Sequence, residues 1–147
     1  MTAEPRLRPD IEALSALSAV QMRLRARIER ALPAGISASA FEALEQLART
    51  DAPAGPGALA EALGLSRPAF SHLLARLEQA GWVQVLPDDR DGRRKRLVLT
   101  ENGARAHRDC LASTREARRA LRAAVAPETA AAALPFLRGL DAWLTGS

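Results

Sequence analysis

The chain has 147 residues, the size of about one domain. Hydrophobic residues make up 48% of it and are mostly Ala and Leu, while aromatic residues make up only 3%. This composition favours helices over a β-sandwich. The 21 Lys and Arg residues exceed the 17 Asp and Glu residues by 4, so the positive charge matters only where it clusters. The single cysteine excludes an internal disulfide framework. Because no run reaches the roughly 18 apolar residues of a membrane helix and "MTAEPRLRPD" lacks the apolar core of a signal peptide, we expect a cytoplasmic protein without membrane contact.

The first fifty residues predict two helices. Apolar residues recur with helical spacing from about Asp10 to Leu32, and "PAG" at Pro33–Gly35 ends this helix. Three arginines on it are expected to be solvated or to pair with acids, and no site is assigned to them: Arg23, Arg25 and Arg27. The second helix is expected to begin near Ser37 or Ser39, and Ser39 and Glu42 have the spacing of a capping box.

The stretch "GALAEALGLSRPAFSHLLARLEQAG" predicts two further helices joined by a short turn. The first ends at Gly64, a residue suited to the left-handed conformation after a helix. Ser66 is expected to cap the second, with Pro68 in its first turn, where a missing N–H does no harm. The predicted buried stripe of this helix is Phe70, Leu73, Leu74 and Leu77. Two helices joined in this way form a helix-turn-helix.

After Gly81, "WVQVL" and "RLVLT" predict two paired strands joined by a basic connection. Five cations lie among the seven residues from Arg90 to Arg96. Leu97 and Leu99 alternate with more exposed positions, so one face of the second strand is expected to pack on the helices. The hairpin then holds its cations beside the preceding helix, as a wing does.

Two helices are predicted for the rest of the chain. One long helix is expected from a cap at Thr100 to about Val125, with Ala104, His107 and Leu111 among its less polar positions. Another helix starts at Pro127. Pro135 lies inside the second pattern, where a proline is expected to bend or split the helix.

The order of these elements resembles the multiple antibiotic resistance regulator (MarR) family of bacterial transcription factors. The residues that carry the resemblance are "LAEALGLSRPAFSHLLARLEQAGWV", "DGR" at Asp91–Arg93 and "LVLTENG" at Leu97–Gly103, an Asp-x-Arg followed by Leu-Thr and a Gly three residues after the Thr. The resemblance covers about Leu59–Gly103 and rests on helix order alone at the two ends. Val85 departs from the pattern, since many members carry an arginine there.

The resemblance implies an α+β, mostly α fold, a winged helix-turn-helix with N- and C-terminal dimerisation helices. Residues 1–35 would form the N-terminal dimerisation helix, 36–100 the DNA-binding domain and 101–147 the C-terminal dimerisation helices. The implied function is a homodimeric repressor on a palindromic operator in double-stranded DNA. A small, often aromatic or phenolic effector would release it by binding between the dimer helices and the winged helix. No cofactor is expected.

The predicted DNA contacts follow from the placement of the fourth helix, because a recognition helix enters the major groove with its N-terminus first. Residues expected to contact base edges are Pro68, Ala69, Ser71 and His72. Residues expected to contact phosphates are Ser66, Arg67 and Arg76. Residues expected in the wing are Arg90, Asp91, Arg93, Arg94 and Lys95. The resemblance places Arg93 in or beside the minor groove, with Asp91 bracing its guanidinium. Taken alone, His72 is equally typical of a surface histidine.

Other functions remain as alternatives. A winged helix can bind protein through a hydrophobic patch, and Cys110 could act as a redox-sensing thiol, although a lone cysteine on an amphipathic helix is typical of a small buried hydrophobe. His107 and Cys110 are spaced as a ligand pair, but zinc needs three or four protein ligands, so no metal site is expected. The sequence has no Gly-rich phosphate loop and no nucleophile–base–acid set, so no enzyme is expected.

Overall fold

The computed structural model describes residues 8–49, 55–88 and 94–146. Within these ranges it has seven helices and a two-stranded sheet: α1 (Pro9–Ala31), α2 (Ala38–Arg49), α3 (Pro56–Ala62), α4 (Arg67–Gln79), β1 (Val83–Pro87), β2 (Lys95–Leu99), α5 (Glu101–Ser113), α6 (Arg115–Ala124) and α7 (Pro127–Thr145). The chain forms two compact units, of which one ends at Ser113 and the other begins at Thr114. This is the mostly helical winged-helix architecture predicted from the sequence.

The hydrophobic core of the first unit is built by α2, α3, α4 and the sheet. Leu44 of α2, Leu77 of α4 and Leu97 of β2 are each at most 1% exposed. Burial of such side chains stabilises the fold by roughly 1.5–3 kcal/mol each relative to leaving them in water. Phe70 and Leu59 complete the packing between α3 and α4. This core fixes the orientation of α4 relative to the sheet.

The start of α2 differs in part from the sequence prediction. The Ser37 hydroxyl accepts a hydrogen bond from the Ala40 main-chain nitrogen at 3.2 Å, so Ser37 caps the helix. The Ser39 hydroxyl instead accepts a hydrogen bond from Arg25 of α1. The predicted capping box of Ser39 and Glu42 is therefore wrong, because α2 begins at Ala38 and Ser39 lies inside the helix.

The turn between α3 and α4 has the predicted chemistry. Gly64 has a φ of +61°, in the left-handed region that favours glycine. The Ser66 hydroxyl accepts a hydrogen bond from the Ala69 nitrogen at 3.4 Å, and Pro68 lies in the first turn. Three members of the predicted buried stripe are buried, and the fourth, Leu74, is only half-buried.

The two strands form an antiparallel hairpin. Val83 pairs with Leu99, and Val85 pairs with Leu97. Val83 and Leu97 are buried in the core, while Leu99 is half-buried and packs against it. This confirms that one face of the hairpin is anchored on the helices.

The predicted single helix from Thr100 to Val125 is wrong, because α5 ends at Ser113 and α6 begins at Arg115. The Ser113 hydroxyl donates to the carbonyl oxygen of Cys110 at 3.1 Å, a local bond that competes with the helical hydrogen-bond ladder at this point. The buried face of α5 is also displaced from the predicted one. It consists of Gly103, Ala106 and Cys110.

The last helix does not split at Pro135, where the sequence analysis expected a bend or a split. Pro135 lies inside α7, which continues from Pro127 to Thr145 without splitting. The proline removes one donor from the ladder, and the rest of the helix carries on around it. Among the described residues, no helix combines the length and the apolar character needed to cross a bilayer.

Candidate nucleic-acid interface

Helix α4 presents one face to the core and the opposite face to solvent. Phe70, Leu73 and Leu77 are 5%, 6% and 1% exposed. The exposed residues of the helix and its cap include every one that the sequence predicts as a base or phosphate contact: Ser66, Arg67, Pro68, Ala69, Ser71, His72 and Arg76. The fold therefore brings these seven side chains together on a single accessible helix.

The N-terminus of α4 adds directed polar groups to this face. The first backbone N–H groups of a helix have no partner within the helix and carry a partial positive charge. One of them, from Ala69, is bonded to Ser66, whose oxygen is thus occupied as a cap. Arg67 is exposed in the same first turn. Such an end favours an anion, and phosphate is the anion that the chemistry of arginine fits well.

The described arms of the basic hairpin hold two of the five predicted wing residues. The Asp88 nitrogen donates to the Arg94 carbonyl oxygen at 2.9 Å, and the Arg96 Nε donates to the Pro87 carbonyl oxygen at 3.3 Å. Arg94 and Lys95 are exposed. The other three wing residues lie outside the described residues: Arg90, Asp91 and Arg93.

A groove of about 670 Å³ lies between α3, α4 and the hairpin. Arg67 and Ser71 line it on the α4 side, and Lys95 lines it on the β2 side. Its apolar lining includes Phe70 and Val85. Two of the predicted DNA contacts on α4 thus also border a space of the size that small ligands occupy.

The junction between the hairpin and α5 is held by two hydrogen bonds of Thr100. One of them caps α5, as the sequence predicted, and the other was not predicted. The Thr100 hydroxyl donates to the Gly81 carbonyl oxygen at 2.6 Å and accepts from the Gly103 nitrogen at 3.0 Å. The Thr100 nitrogen donates to the Trp82 carbonyl oxygen at 3.0 Å. Thr100 therefore ties the end of β2 to the segment that follows α4. Thr100 and the glycine three residues later, Gly103, were the signal in the sequence for this junction.

Two polar contacts between helices also escaped prediction from the sequence. Arg25 of α1 contacts Glu42 of α2 at 3.7 Å besides Ser39, which fits the expectation that this arginine pairs with acids. Nε2 of His107 on α5 lies 2.8 Å from Oε2 of Glu45 on α2. The spacing of residues in a single sequence does not indicate which distant side chains will pair in this way. These two contacts hold α1 and α5 to α2, and thereby to the winged helix.

Cys110 is fully buried, as the sequence predicted for a small hydrophobe. Burial raises the pKa of its thiol from 9.0 to about 11, and the neighbouring carboxylate of Asp109 contributes to the rise. The thiolate is the form that oxidants attack, so a thiol held protonated at neutral pH reacts slowly. The environment of Cys110 disfavours the redox-sensing alternative.

Comparisons with known proteins agree with this geometry. Residues 34–94 match the model of the MarR family. The HTH-type transcriptional regulator PecS of Dickeya dadantii (strain 3937) is 30% identical over 104 residues, which cover 65% of this chain. The same alignment spans 63% of the length of PecS, less than two thirds of it.

Solved structures resemble the whole chain. Sco3205, a MarR family transcriptional regulator from Streptomyces coelicolor in complex with DNA, has a TM-score of 0.77 at 26% identity, over 97% of this chain and 93% of that one. A mutant MarR from E. coli complexed with operator DNA has a TM-score of 0.75 at 25% identity, over 89% of this chain and 95% of that one. The likeness therefore extends beyond the helix-turn-helix to the terminal helices.

Proposed function

We propose that this chain, whose residues 34–94 match the MarR family, a family of transcriptional regulators and not of enzymes, regulates transcription by binding operator DNA. The observation that carries this proposal is the exposed face of α4, with seven candidate DNA contacts beside the arms of a basic hairpin. The structures of two relatives with DNA support the same use of the fold. A regulator of this kind acts in the cytoplasm, where the bacterial chromosome lies.

Within this proposal the residues of α4 divide into two roles. Pro68 and Ala69 contact thymine methyl groups, while Ser71 and His72 form hydrogen bonds with base edges. Ser66, Arg67 and Arg76 contact phosphates and set the register without specifying sequence. Since the Ser66 oxygen already accepts from Ala69, its hydroxyl hydrogen is the group it offers to a phosphate.

The wing supplies a second set of contacts. The exposed side chains of Arg94 and Lys95 stand on the arm that leads to the tip. In the same proposal Arg90 and Arg93, which stand between the two strands in the sequence, add positive charge to the wing, and Asp91 orients Arg93 towards a minor groove. Narrow A·T-rich minor grooves attract such an inserted arginine because their negative potential is enhanced.

The operator is bound by a homodimer, and the support is the apolar surface of the terminal helices. In α1, Val20 and Met22 are 56% and 73% exposed, and in α7, Phe136 and Trp143 are 51% and 76% exposed. Monomers rarely leave large apolar patches in water, and a second copy would cover them. Residues 1–35 and 101–147 then serve dimerisation around the DNA-binding residues 36–100. Light scattering at micromolar concentration tests this proposal, and a monomer would contradict it.

The experiment that tests the function is selection of genomic fragments by the purified full-length protein, followed by footprinting. We expect enrichment of a palindromic sequence and protection of two half-sites one helical turn apart. The matched control is the His72→Ala variant, which should retain its fold and bind the same fragments with lower enrichment. Recovery of fragments without any common sequence would contradict sequence-specific regulation.

Release by a small ligand is a further part of the proposal, as the resemblance to this family implies. The resemblance places such a ligand between the dimerisation helices and the winged helix. The groove of about 670 Å³ is a different place, within the winged helix itself, and it supports release because an occupant there would compete with DNA for Arg67 and Ser71. A panel of phenolic carboxylates titrated into the operator complex tests it. Val85→Arg should fill part of the groove and weaken release while keeping DNA binding. Release that is unaffected by Val85→Arg would place the ligand elsewhere.

A further inference from the structure

Helix α6 carries an unusual concentration of positive charge. Its ten residues, "REARRALRAA", contain four arginines and a single acid, Glu116. The arginines stand at positions i, i+3, i+4 and i+7, which places them on one face of the helix: Arg115, Arg118, Arg119 and Arg122. The opposite face consists of alanines and Leu121. We call the set Arg115, Arg119 and Arg122 the α6 arginine face.

The α6 arginine face is exposed and is not neutralised by the described part of the chain. All three side chains are exposed, and none forms an ion pair with an acid in residues 8–49, 55–88 or 94–146. Arg118 is left out of the set because it is partly buried and already has an interaction within the protein. Like charges three and four residues apart destabilise a helix. Glu116, three residues before Arg119, offsets only part of this repulsion, and a bound anion would offset the rest.

We propose that the α6 arginine face binds the phosphate backbone of double-stranded DNA, as a contact surface additional to α4 and the wing. The proposal rests on the DNA binding proposed above, since DNA is the polyanion that this protein then meets. The seven residue steps from Arg115 to Arg122 rise by about 10 Å along the helix, at 1.5 Å per step. Each strand of a duplex presents a phosphate every 3.4 Å or so along the axis, so three arginines fit about three phosphates. The planar guanidinium donates two parallel hydrogen bonds to a phosphate.

The opposite face of α6 argues against a membrane as the partner. Helices that lie on a bilayer insert Trp, Phe or Leu from their apolar side. The apolar side of α6 offers alanines and one leucine, and Leu121 is 47% exposed. Phosphates of a nucleic acid need no insertion, so they fit the arginine face without an apolar anchor.

The test compares two full-length variants with the same change of charge. The first combines Arg115→Gln, Arg119→Gln and Arg122→Gln. The matched control combines Arg23→Gln, Arg27→Gln and Arg138→Gln, three exposed arginines of α1 and α7, which belong to the same proposed dimerisation segments as α6. Glutamine keeps the helix propensity close to that of arginine. Circular dichroism and light scattering check that both variants fold and keep the oligomeric state of the wild type.

The measurement is the affinity for a random-sequence duplex as a function of salt concentration. The slope of the log–log plot should flatten by about 0.9 for each phosphate that an arginine no longer binds, about 2.7 for the complete α6 arginine face, and should be unchanged in the control. Equal slopes in the α6 variant and the control would overturn the proposal. A change of oligomeric state in the α6 variant alone would also overturn it, since the face would then belong to a subunit interface.

A second binding experiment uses anionic phospholipid vesicles in place of DNA. If the wild type binds vesicles and the α6 variant does not, without a change of the DNA slope, the face would be assigned to membranes and the proposal overturned. Failure of the proposed function has a different signature. In that case the wild type would not discriminate operator from random DNA, whereas the α6 readout uses random DNA only.

Discussion

A β-carbon placed on Gly103 would lie 2.1 Å from the carbonyl oxygen of Trp82, so the first turn of α5 touches the main chain that enters β1. Real β-carbons essentially never approach another atom so closely, and the obstacle is backbone rather than a flexible side chain. Only a glycine permits this approach. It places α5 against the hairpin and, through Thr100, against the end of α4.

Gly103→Ala is accordingly expected to destabilise the protein. Overpacking of a tight contact costs about 1–3 kcal/mol, and the backbone of Trp82 must move to relieve it. The free energy of unfolding from urea denaturation measures the effect. Gly139→Ala is the matched control, because the added methyl group on α7 meets no atom within 4 Å and alanine favours a helix by roughly 0.5–1 kcal/mol. Equal effects of the two substitutions would contradict the close approach at Gly103.

Thr100→Val tests the hydrogen bonds at the same junction. Valine keeps the branched shape but cannot form the bond to Gly81 or accept from Gly103. We expect a decrease of about 1–3 kcal/mol in the free energy of unfolding, since each net bond contributes roughly 0.5–1.5 kcal/mol. Thr100→Ser should recover most of it, because its hydroxyl can make both bonds. A valine variant as stable as the wild type would show that packing, not hydrogen bonding, holds the junction.

Local signals were enough to predict the helix-turn-helix. Gly64, Ser66 and Phe70 each belong to a short motif with its own physical reason, and none depends on a distant part of the chain. The exposed face of α4 followed from the same pattern, because the buried stripe leaves the opposite side to solvent. The candidate DNA contacts on α4 were thus predictable as exposed residues, while their roles remain proposals.

Other features depend on partners far along the chain and could not be predicted. Ser37 caps α2, while the hydroxyl of Ser39 accepts from Arg25, which lies on a different helix. The break at Thr114 interrupts a pattern that continues helically in the sequence on both sides. The bond between His107 and Glu45 joins residues 62 positions apart. The serine contact and the histidine contact join different helices, whereas the break at Thr114 is accompanied by a local bond from Ser113 to Cys110, and neither kind of contact follows from the periodic pattern of the sequence.

Replacement of His72 and Arg76 should separate base contact from phosphate contact. His72→Ala is expected to weaken operator binding by about 1–3 kcal/mol and random-sequence binding far less. Arg76→Ala should weaken both by a similar factor and reduce the salt slope by about 0.9. Fluorescence anisotropy on the two duplexes measures both effects. If His72→Ala weakened both duplexes equally, the histidine would be a phosphate contact.

The thiol of Cys110 should make stability fall at high pH. Its pKa is raised to about 11 in the folded protein, so between pH 9 and this value the unfolded thiol loses its proton first. The unfolded state then binds fewer protons than the folded state, and stability decreases as pH rises through this window. The difference in unfolding free energy between wild type and Cys110→Ala, measured from about pH 8 to pH 10.5, should change in this direction. A constant difference would indicate a thiol with an ordinary pKa.

The wing allows a test with two opposite outcomes. If Asp91 braces Arg93, removing Asp91 weakens operator binding, whereas electrostatic repulsion alone predicts that it strengthens binding. Arg93→Ala should weaken operator binding strongly and leave the dimer intact, since Val83 and Leu97 anchor the hairpin in the core. The effect should exceed that of Arg94→Ala or Lys95→Ala, because only Arg93 has Asp91 two residues before it. The preference for A·T-rich flanks should fall as well.

Asp91→Ala should reproduce much of the Arg93→Ala defect if the carboxylate holds the guanidinium in the orientation that enters the groove. Removing a negative charge from a DNA-binding surface would otherwise strengthen binding, because the carboxylate repels phosphates. Asp91→Asn is the control for side-chain size, and it should resemble alanine when charge is what braces Arg93. The measurement is the operator affinity of Arg93→Ala, Asp91→Ala and Asp91→Asn, compared with the wild type at one salt concentration. Tighter binding by Asp91→Ala would mean that the hairpin acts only as a basic patch.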